Sequence, residues 1–111
     1  MTGSSGSGYG GGFRDTAVAC DALVIETQIS SPKADVIKDL VRGAILNVAL
    51  AQVGGVSTVV LTHQGQVAGG IADPSVQRLR ECLAQGTQYT ATVRTVNGGL
   101  VTVRIAPVPG T

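Results

Sequence analysis

The sequence predicts a strand-dominated α+β domain of about six strands and two short helices, in the order β-α-β-β-β-α-β-β. Apolar and polar residues alternate along most of the chain, which is the pattern of half-buried strands. Two segments instead repeat apolar residues every three or four positions, with a proline near the start and a glycine after the end, as helices do. Glycine-containing turns separate the strand-like segments, so we expect one small curled sheet or β-barrel.

The amino-terminal residues 1–15 read as a flexible Gly/Ser-rich tail, followed by a single domain over residues 16–111. Glycine and serine bury too little apolar surface to offset the loss of chain entropy on folding. A phosphate-binding loop would need a strand before it, and only Met1 and Thr2 precede this run. Short Ser-Gly runs also occur in vector-derived sequence, so a native and a foreign origin both stay open.

The first helix is predicted directly after a strand at residues 20–29. Ser31 suits an N-cap, and Pro32 suits the first helical position because its fixed φ is already helical. The helix should run from Pro32 to about Val41, and Gly43 can close it in a left-handed conformation.

Three further strands are expected between the helices, at residues 44–52, 57–63 and 66–72. Gly69 and Gly70 lie within the last of them and indicate a bulge or a tight corner where two backbones approach closely.

The second helix has the clearest signals in the chain. Asp73 is a capping residue, Pro74 can begin the helix, and Gly86 can end it. We predict this helix from Pro74 to Gln85.

The chain is predicted to end in a hairpin whose strands cover residues 87–96 and 100–108. A two-residue loop at Asn97-Gly98 would place Arg94 opposite Val101, which puts a charge and a core residue on one face. A three-residue loop that also includes Gly99 makes the apolar faces agree. We therefore predict the three-residue loop, with its last glycine at positive φ.

The core is predicted to be aliphatic, because aromatic residues make up only 3% of a chain that is 43% apolar. The predicted core residues are Leu23, Ile25, Ile37, Leu40, Leu46, Val48, Leu50, Val60, Leu79, Leu83, Val93, Val101, Val103 and Ile105.

Charge and hydropathy exclude some partners and predict a compartment. The net charge of +1 gives no global field that would draw the protein to nucleic acid or to a membrane. No apolar run approaches the roughly 18 residues of a membrane span, and the amino terminus lacks a basic-then-apolar signal segment. We expect a cytoplasmic protein with no membrane partner.

The cysteines and the histidine carry no recognisable chemistry. Cys20 and Cys82 have neither a CxxC nor a metal-ligand spacing, so we predict two buried, reduced thiols, with a disulfide as the alternative. His63 has no Cys, Asp or Glu beside it. No metal or other cofactor is predicted.

A catalytic constellation is not predicted either. Asp35 and Asp39 share a helix face, but Lys38 and Arg42 flank them, which favours a solvated, ion-paired surface. We do not expect an enzyme.

The stretches LVRGAILNVAL, GQVAGGIADPSVQRLRECLAQG and YTATV resemble the HIRAN domain, a family of small β-barrels. The resemblance spans roughly residues 40–105 and implies a barrel that binds single-stranded DNA ends. The family usually carries an Asn-Pro and acidic stretch after its second strand, where this chain has residues 52–56, QVGGV. Aromatic residues that would stack on bases are also missing. Tyr89 is the one aromatic residue in the folded body, and the alternation along its strand places it on the inward face. No binding residue is therefore carried over from the family.

The outward face of the last hairpin is the best candidate for a binding surface. The three-residue loop would set Arg94 opposite Thr102 and Thr92 opposite Arg104, with no carboxylate nearby in sequence. Guanidinium and hydroxyl groups of this kind can hold phosphates, although an ordinary solvated sheet face is the alternative. Two arginines of the second helix would widen the patch if that helix packs on the same side. The candidate nucleic-acid-binding residues are Thr92, Arg94, Thr102, Arg104, Arg78 and Arg80.

We therefore expect a small non-catalytic module that binds single-stranded nucleic acid weakly through this hairpin face. The alternative is a module for protein docking, self-association or assembly into a larger complex, which would use an exposed sheet edge and the outward Val96 and Leu100.

Overall fold

A computed structural model describes residues 18–109 of the chain. After a 3₁₀ turn at Cys20–Ala22, the elements are β1 (Ile25–Gln28), α1 (Ala34–Ile37), β2 (Ile45–Val53), β3 (Val56–His63), β4 (Gln66–Gly70), α2 (Val76–Ala84), β5 (Tyr89–Asn97) and β6 (Leu100–Pro107). The predicted class and element order are confirmed. The predicted tail over residues 1–15 lies outside the described residues.

The six strands form one antiparallel sheet in the order β1-β6-β5-β2-β3-β4. The sheet does not close into a barrel, but its two edge strands meet at one corner. There Ser30 and Gly70 exchange two backbone hydrogen bonds of 2.8 Å each. A side chain at Gly69 would collide with Ile29 and Ser30, so the close approach predicted at this glycine pair is confirmed. The open curled sheet is thus the correct one of the two predicted forms.

The core lies between one face of the sheet and α2, and it is aliphatic apart from Tyr89 and Cys82. Most of the predicted core residues are buried, and Ile37 and Leu83 pack against the core while partly exposed. The fully buried side chains with the largest volumes are Leu46, Leu61, Leu79, Ile105, Val59, Val93, Val101, Val103 and Cys82.

Two core predictions fail on the β2–β3 hairpin. Val59 and Leu61 are buried instead of Val60, because they pair with Leu50 and Val48 and so share the inner face. Three consecutive apolar residues in β3 had made either parity possible. Leu50 has the inward parity but stays 38% exposed, and it lies towards the turn of the hairpin, where Val53 and Val56 are exposed as well.

Helix α1 is a single turn, much shorter than the predicted helix from Pro32 to Val41. Ser31 has φ of +50° and does not cap it. The backbone N–H of Lys33 instead donates to Ala68 in β4 at 2.8 Å, so this segment covers the edge of the sheet. Tertiary pairing has overridden the local helix signals.

Helix α2 keeps its predicted signals but begins two residues later than expected. The carboxylate of Asp73 accepts a 2.8 Å hydrogen bond from the backbone N–H of Ser75, the residue that precedes the helix. Gly86 follows the last turn with φ of +99°. Leu79 and Cys82 on its inner side are fully buried.

The last hairpin has a two-residue loop, which corrects the three-residue prediction. Asn97 pairs with Leu100, and Gly98 rather than Gly99 has the positive φ, at +62°. Lower in the hairpin, Val93 pairs with Val103, as predicted. The two registers are reconciled by a shift between Val93 and Thr95, a bulge that is absent from the predicted hairpin.

The cysteines form a disulfide, so the prediction of two reduced thiols is wrong. Cys20 and Cys82 are 62 residues apart in sequence, and their Cα atoms are 5.5 Å apart. The 3₁₀ turn that holds Cys20 packs beside α2, a tertiary contact that sequence spacing does not reveal.

We searched the helices of residues 18–109 for a segment that could span a membrane. The longest helix there, α2, has nine residues, and none of the helices is long and apolar enough to cross a membrane.

Candidate functional site

The outer face of the sheet carries most of the predicted site residues. A row runs across four strands on this face, with Ile45 opposite Thr92, Thr92 opposite Arg104, and Arg104 opposite Glu26. The predicted pairing of Thr92 with Arg104 is therefore confirmed. The carboxylate of Glu26, far away in sequence, lies on the strand next to Arg104, so the face is not free of acidic residues.

Thr102 does not stand opposite Arg94, as the three-residue loop would have required. It pairs with Thr95 on one side and with Gln28 on the other. Arg94 occupies the bulge itself, where the strand has an extra residue and its side chain is exposed. Bulges of this kind re-aim a side chain away from the regular ladder.

Arg42 lies beside Arg94, although the two residues are on different elements. The N–H of Gly43 donates to the C=O of Val93, and the N–H of Val93 donates to Ala44, both at 2.8 Å. These bonds bring the loop before β2 alongside the bulge. The resulting depression, here called the Arg42–Arg94 groove, is lined by Leu40, Val41, Arg42, Arg94, Thr95 and Val96.

The lining of the groove is both cationic and aliphatic. Within residues 18–109, neither Arg42 nor Arg94 forms an ion pair or a side-chain hydrogen bond, and no carboxylate lines the groove. Val41 and Val96 present apolar surface beside them, with exposed fractions of 66% and 42%. Arg104 on the neighbouring row is likewise without such a bond to a described residue. Three guanidinium groups on this side of the sheet are therefore available to a ligand.

Arg78 is bound within the protein and does not join this surface. It lies on α2, which covers the core side of the sheet, and its guanidinium donates to the C=O of Val18 at 2.8 and 3.1 Å. It also forms the ion pair with Glu81 at 3.0 Å.

Arg80 is engaged in the same way. It donates to the C=O of Ser57 at 3.1 Å and to the amide oxygen of Gln77 at 2.5 Å. These contacts attach α2 to β3. The structure thus brings Arg94 and Arg104 to the outer face and leaves the two helical arginines on the other side.

Tyr89, the aromatic residue of the folded body, is buried with 3% exposure and offers no stacking surface. Its hydroxyl donates a 2.5 Å hydrogen bond to the C=O of Cys20. Burial raises the pKa of Tyr89, with the Arg78 charge lowering it and the Asp21 charge raising it.

Among the residues that the structure describes, no three His, Cys, Asp or Glu side chains lie close enough together to hold a metal ion.

No protein-family model, no curated protein and no solved structure matches the chain.

Arg42 is the residue that sequence reasoning missed. It was interpreted as part of an ion-paired helix surface with Asp35, Lys38 and Asp39, but α1 ends at Ile37 and Arg42 lies beyond it. The glycine after Arg42 was the available signal, because a positive-φ residue can turn the chain towards a neighbouring strand.

Proposed function

We propose that the protein is a small non-catalytic binding module that takes single-stranded nucleic acid weakly along the Arg42–Arg94 groove and the adjoining Arg104. The observation that carries this proposal is the separation of the arginines into two groups. Arg78 and Arg80 are held by protein acceptors on the core side, whereas Arg42, Arg94 and Arg104 have no such bond to a described residue on the outer side.

The chemistry of these groups suits phosphate diesters. A guanidinium group presents a planar fork of donors that matches two oxygens of a phosphate, and its charge does not depend on pH in the physiological range. The hydroxyls of Thr92 and Thr95 beside the arginines can donate to further phosphate oxygens. These contacts read the backbone and not the bases, so the binding is expected to be tolerant of sequence.

The aliphatic side chains limit the affinity. Val41 and Val96 can contact a base or a sugar, but a base gains most from stacking on an aromatic ring, which this surface does not present within residues 18–109. With three arginines engaged, the slope of log affinity against log salt should be roughly −2, at about −0.7 per phosphate for single strands.

Fluorescence anisotropy with a labelled single-stranded oligonucleotide tests the proposal. Arg94→Ala should weaken binding severalfold at low salt, whereas Lys33→Ala removes the same charge away from the groove and should change it little. Equal weakening by both variants would show a non-specific charge effect and contradict the proposed site.

Protein docking is the second candidate, and a specific observation favours it. Ile45 and Leu100, each 56% exposed, lie on the strands near the groove, so aliphatic surface accompanies the arginines. Arginine next to apolar side chains is common at protein interfaces. A dimer in sedimentation analysis that persists at high salt and is lost in Leu100→Asp would favour this candidate, because a phosphate-bound complex weakens with salt.

A cytoplasmic location belongs to the proposal, since a nucleic-acid ligand is most accessible there. Disulfides are rare in that compartment because its thiol systems keep cysteines reduced. The Cys20–Cys82 bond must then be reversible. Alkylation of acid-quenched cells should find a fraction of the pair reduced, and a permanently oxidised pair would contradict the proposed location.

A further inference from the structure

Three contacts attach residues 18–22, here called the N-terminal latch, to the body of the domain. The C=O of Val18 accepts two hydrogen bonds from Arg78, and the C=O of Cys20 accepts one from the hydroxyl of Tyr89. The third contact is the covalent bond from Cys20 to Cys82 of α2. The latch is therefore held by one covalent link, by three hydrogen bonds that two backbone carbonyls accept, and by the packing of Val18 and Cys20 against the core.

The two sulfurs differ in their access to solvent. Cys82 has no exposed surface, whereas Cys20 lies in the 3₁₀ turn and is partly exposed. Thiol–disulfide exchange requires a thiolate to reach one sulfur of the bond. Only Cys20 offers that approach, so its sulfur is the site of attack and Cys82 is the leaving thiolate.

We propose that the Cys20–Cys82 disulfide is a reversible thiol–disulfide exchange site that opens and closes the N-terminal latch. The inference is independent of the proposed nucleic-acid function. The reductant is of the dithiol class, and its first thiolate forms a mixed disulfide with Cys20 while Cys82 leaves and takes up a proton. The second thiol of the reductant then displaces Cys20, which takes up the second proton. The protein gains two electrons and two protons, and the reductant becomes a cyclic disulfide.

The reduced form is compatible with the rest of the fold. The amide oxygen of Gln85 lies 3.7 Å from the sulfur of Cys20, so the new thiol has an acceptor at hand. Cys82 becomes a small, buried apolar side chain of the kind that free cysteines commonly are. The antiparallel ladder of the sheet does not involve either cysteine. Loss of the bond should therefore free the latch without unfolding the sheet.

Opening the latch changes where the described chain is first anchored to the domain. Val18 is the first anchored residue of the described chain while the latch is closed, and the first anchored residue moves towards β1 once the latch opens.

Amide hydrogen exchange on oxidised and reduced protein tests the inference directly. The N–H of Ala22, bonded to Ala19 within the latch, should exchange at least about tenfold faster after reduction by a dithiol, as locally opened segments do. The N–H of Val93, bonded to Ala44 in the sheet, serves as the internal control and should still exchange far more slowly than that of Ala22 in the reduced protein. Unchanged exchange at Ala22 would overturn the proposal, and equal exchange rates at both amides in the reduced protein would overturn it too, because they would show that the disulfide holds the whole fold.

A variant test avoids dependence on the reductant. Cys20→Ser removes the exposed sulfur and leaves the buried Cys82 in place, so it should reproduce the fast exchange of Ala22 in the absence of any reductant. A second measurement follows Tyr89 alone, in a Tyr9→Phe protein that has no other tyrosine. The pKa of Tyr89, measured by ultraviolet titration, should fall towards the ordinary tyrosine value when the latch opens. A Cys20→Ser protein with slow exchange at Ala22 would contradict the latch.

Discussion

The backbone N–H of Gly43 donates a 2.8 Å hydrogen bond to the C=O of Val93, immediately before the bulge that holds Arg94. Together with the bond from the N–H of Val93 to Ala44, this contact places Arg42 beside Arg94, and the two bonds are the structural origin of the groove. Gly43 has φ of +93°, a conformation that residues with a Cβ adopt at a cost.

Gly43→Ala should therefore destabilise the protein by about 1 kcal/mol, although no atom obstructs the added Cβ. Gly99→Ala is the matched control, because Gly99 is equally unobstructed but does not have positive φ. Urea unfolding of both variants measures the difference. If the two substitutions change the free energy of unfolding equally, the backbone conformation of Gly43 is not what makes it necessary.

Leu79→Ala should lower the free energy of unfolding by roughly 2 to 5 kcal/mol, because it removes a fully buried side chain and leaves a cavity between α2 and the sheet. Leu50→Ala deletes the same atoms from a residue that is 38% exposed and should have a much smaller effect. Urea unfolding measures both variants, and a change in the midpoint with an unchanged m-value reports the change in stability. A neutral Leu79→Ala would mean that α2 is peripheral to the core.

Reduction of the disulfide should lower the free energy of unfolding by roughly 4 kcal/mol, the chain-entropy value for a loop of this size. The two cysteines are 62 residues apart, so the bond restricts more than half of the unfolded chain. Guanidinium melts with and without a dithiol measure the loss. Identical midpoints would show that the disulfide stabilises the protein by much less than the chain-entropy value for its loop length.

Alkaline pH should destabilise the protein through Tyr89. Its pKa is raised in the folded state, mainly by burial, so folding favours the protonated phenol. That contribution is complete below the ordinary tyrosine pKa near 10 and is lost as the pH rises through the folded-state value. Thermal melts between about pH 8 and 11 should show a steeper fall for the wild type than for Tyr89→Phe. If the melting temperatures of the wild type and Tyr89→Phe fall equally with pH, the loss of stability at alkaline pH comes from other groups.

The elements that sequence reasoning located correctly are those with local causes. Asp73 and Gly86 bracket α2 because capping and positive φ act within a few residues of the helix. Helix α1 was overestimated because bonds across the fold flank its segment on both sides, from Lys33 to β4 and from Gly43 to β5. The turn of the last hairpin was wrong for a similar reason: a bulge at Arg94 lets a two-residue loop keep both apolar faces consistent.

The candidate site was predicted only in part, since its composition depends on which strands become neighbours. Arg94 and Arg104 could be assigned to the outer face from alternation along the hairpin. Glu26 could not be placed beside Arg104 without knowing that β1 pairs with β6. Arg42 could not be placed beside Arg94 without the bond from Gly43 to β5. Long-range pairing of this kind has no signature in a single sequence.

The proposed contact between nucleic acid and the Arg42–Arg94 groove can be tested by a two-dimensional NMR titration of the oxidised protein with a short single-stranded oligonucleotide. The side-chain Nε–H signals of Arg42 and Arg94 should shift with added oligonucleotide and return with added salt, together with the backbone amides around Val41 and Val96. The Nε–H signals of Arg78 and Arg80, held by protein acceptors, should stay in place and serve as the control. Shifts confined to α2, or no shift in low salt with excess oligonucleotide, would contradict the proposed contact.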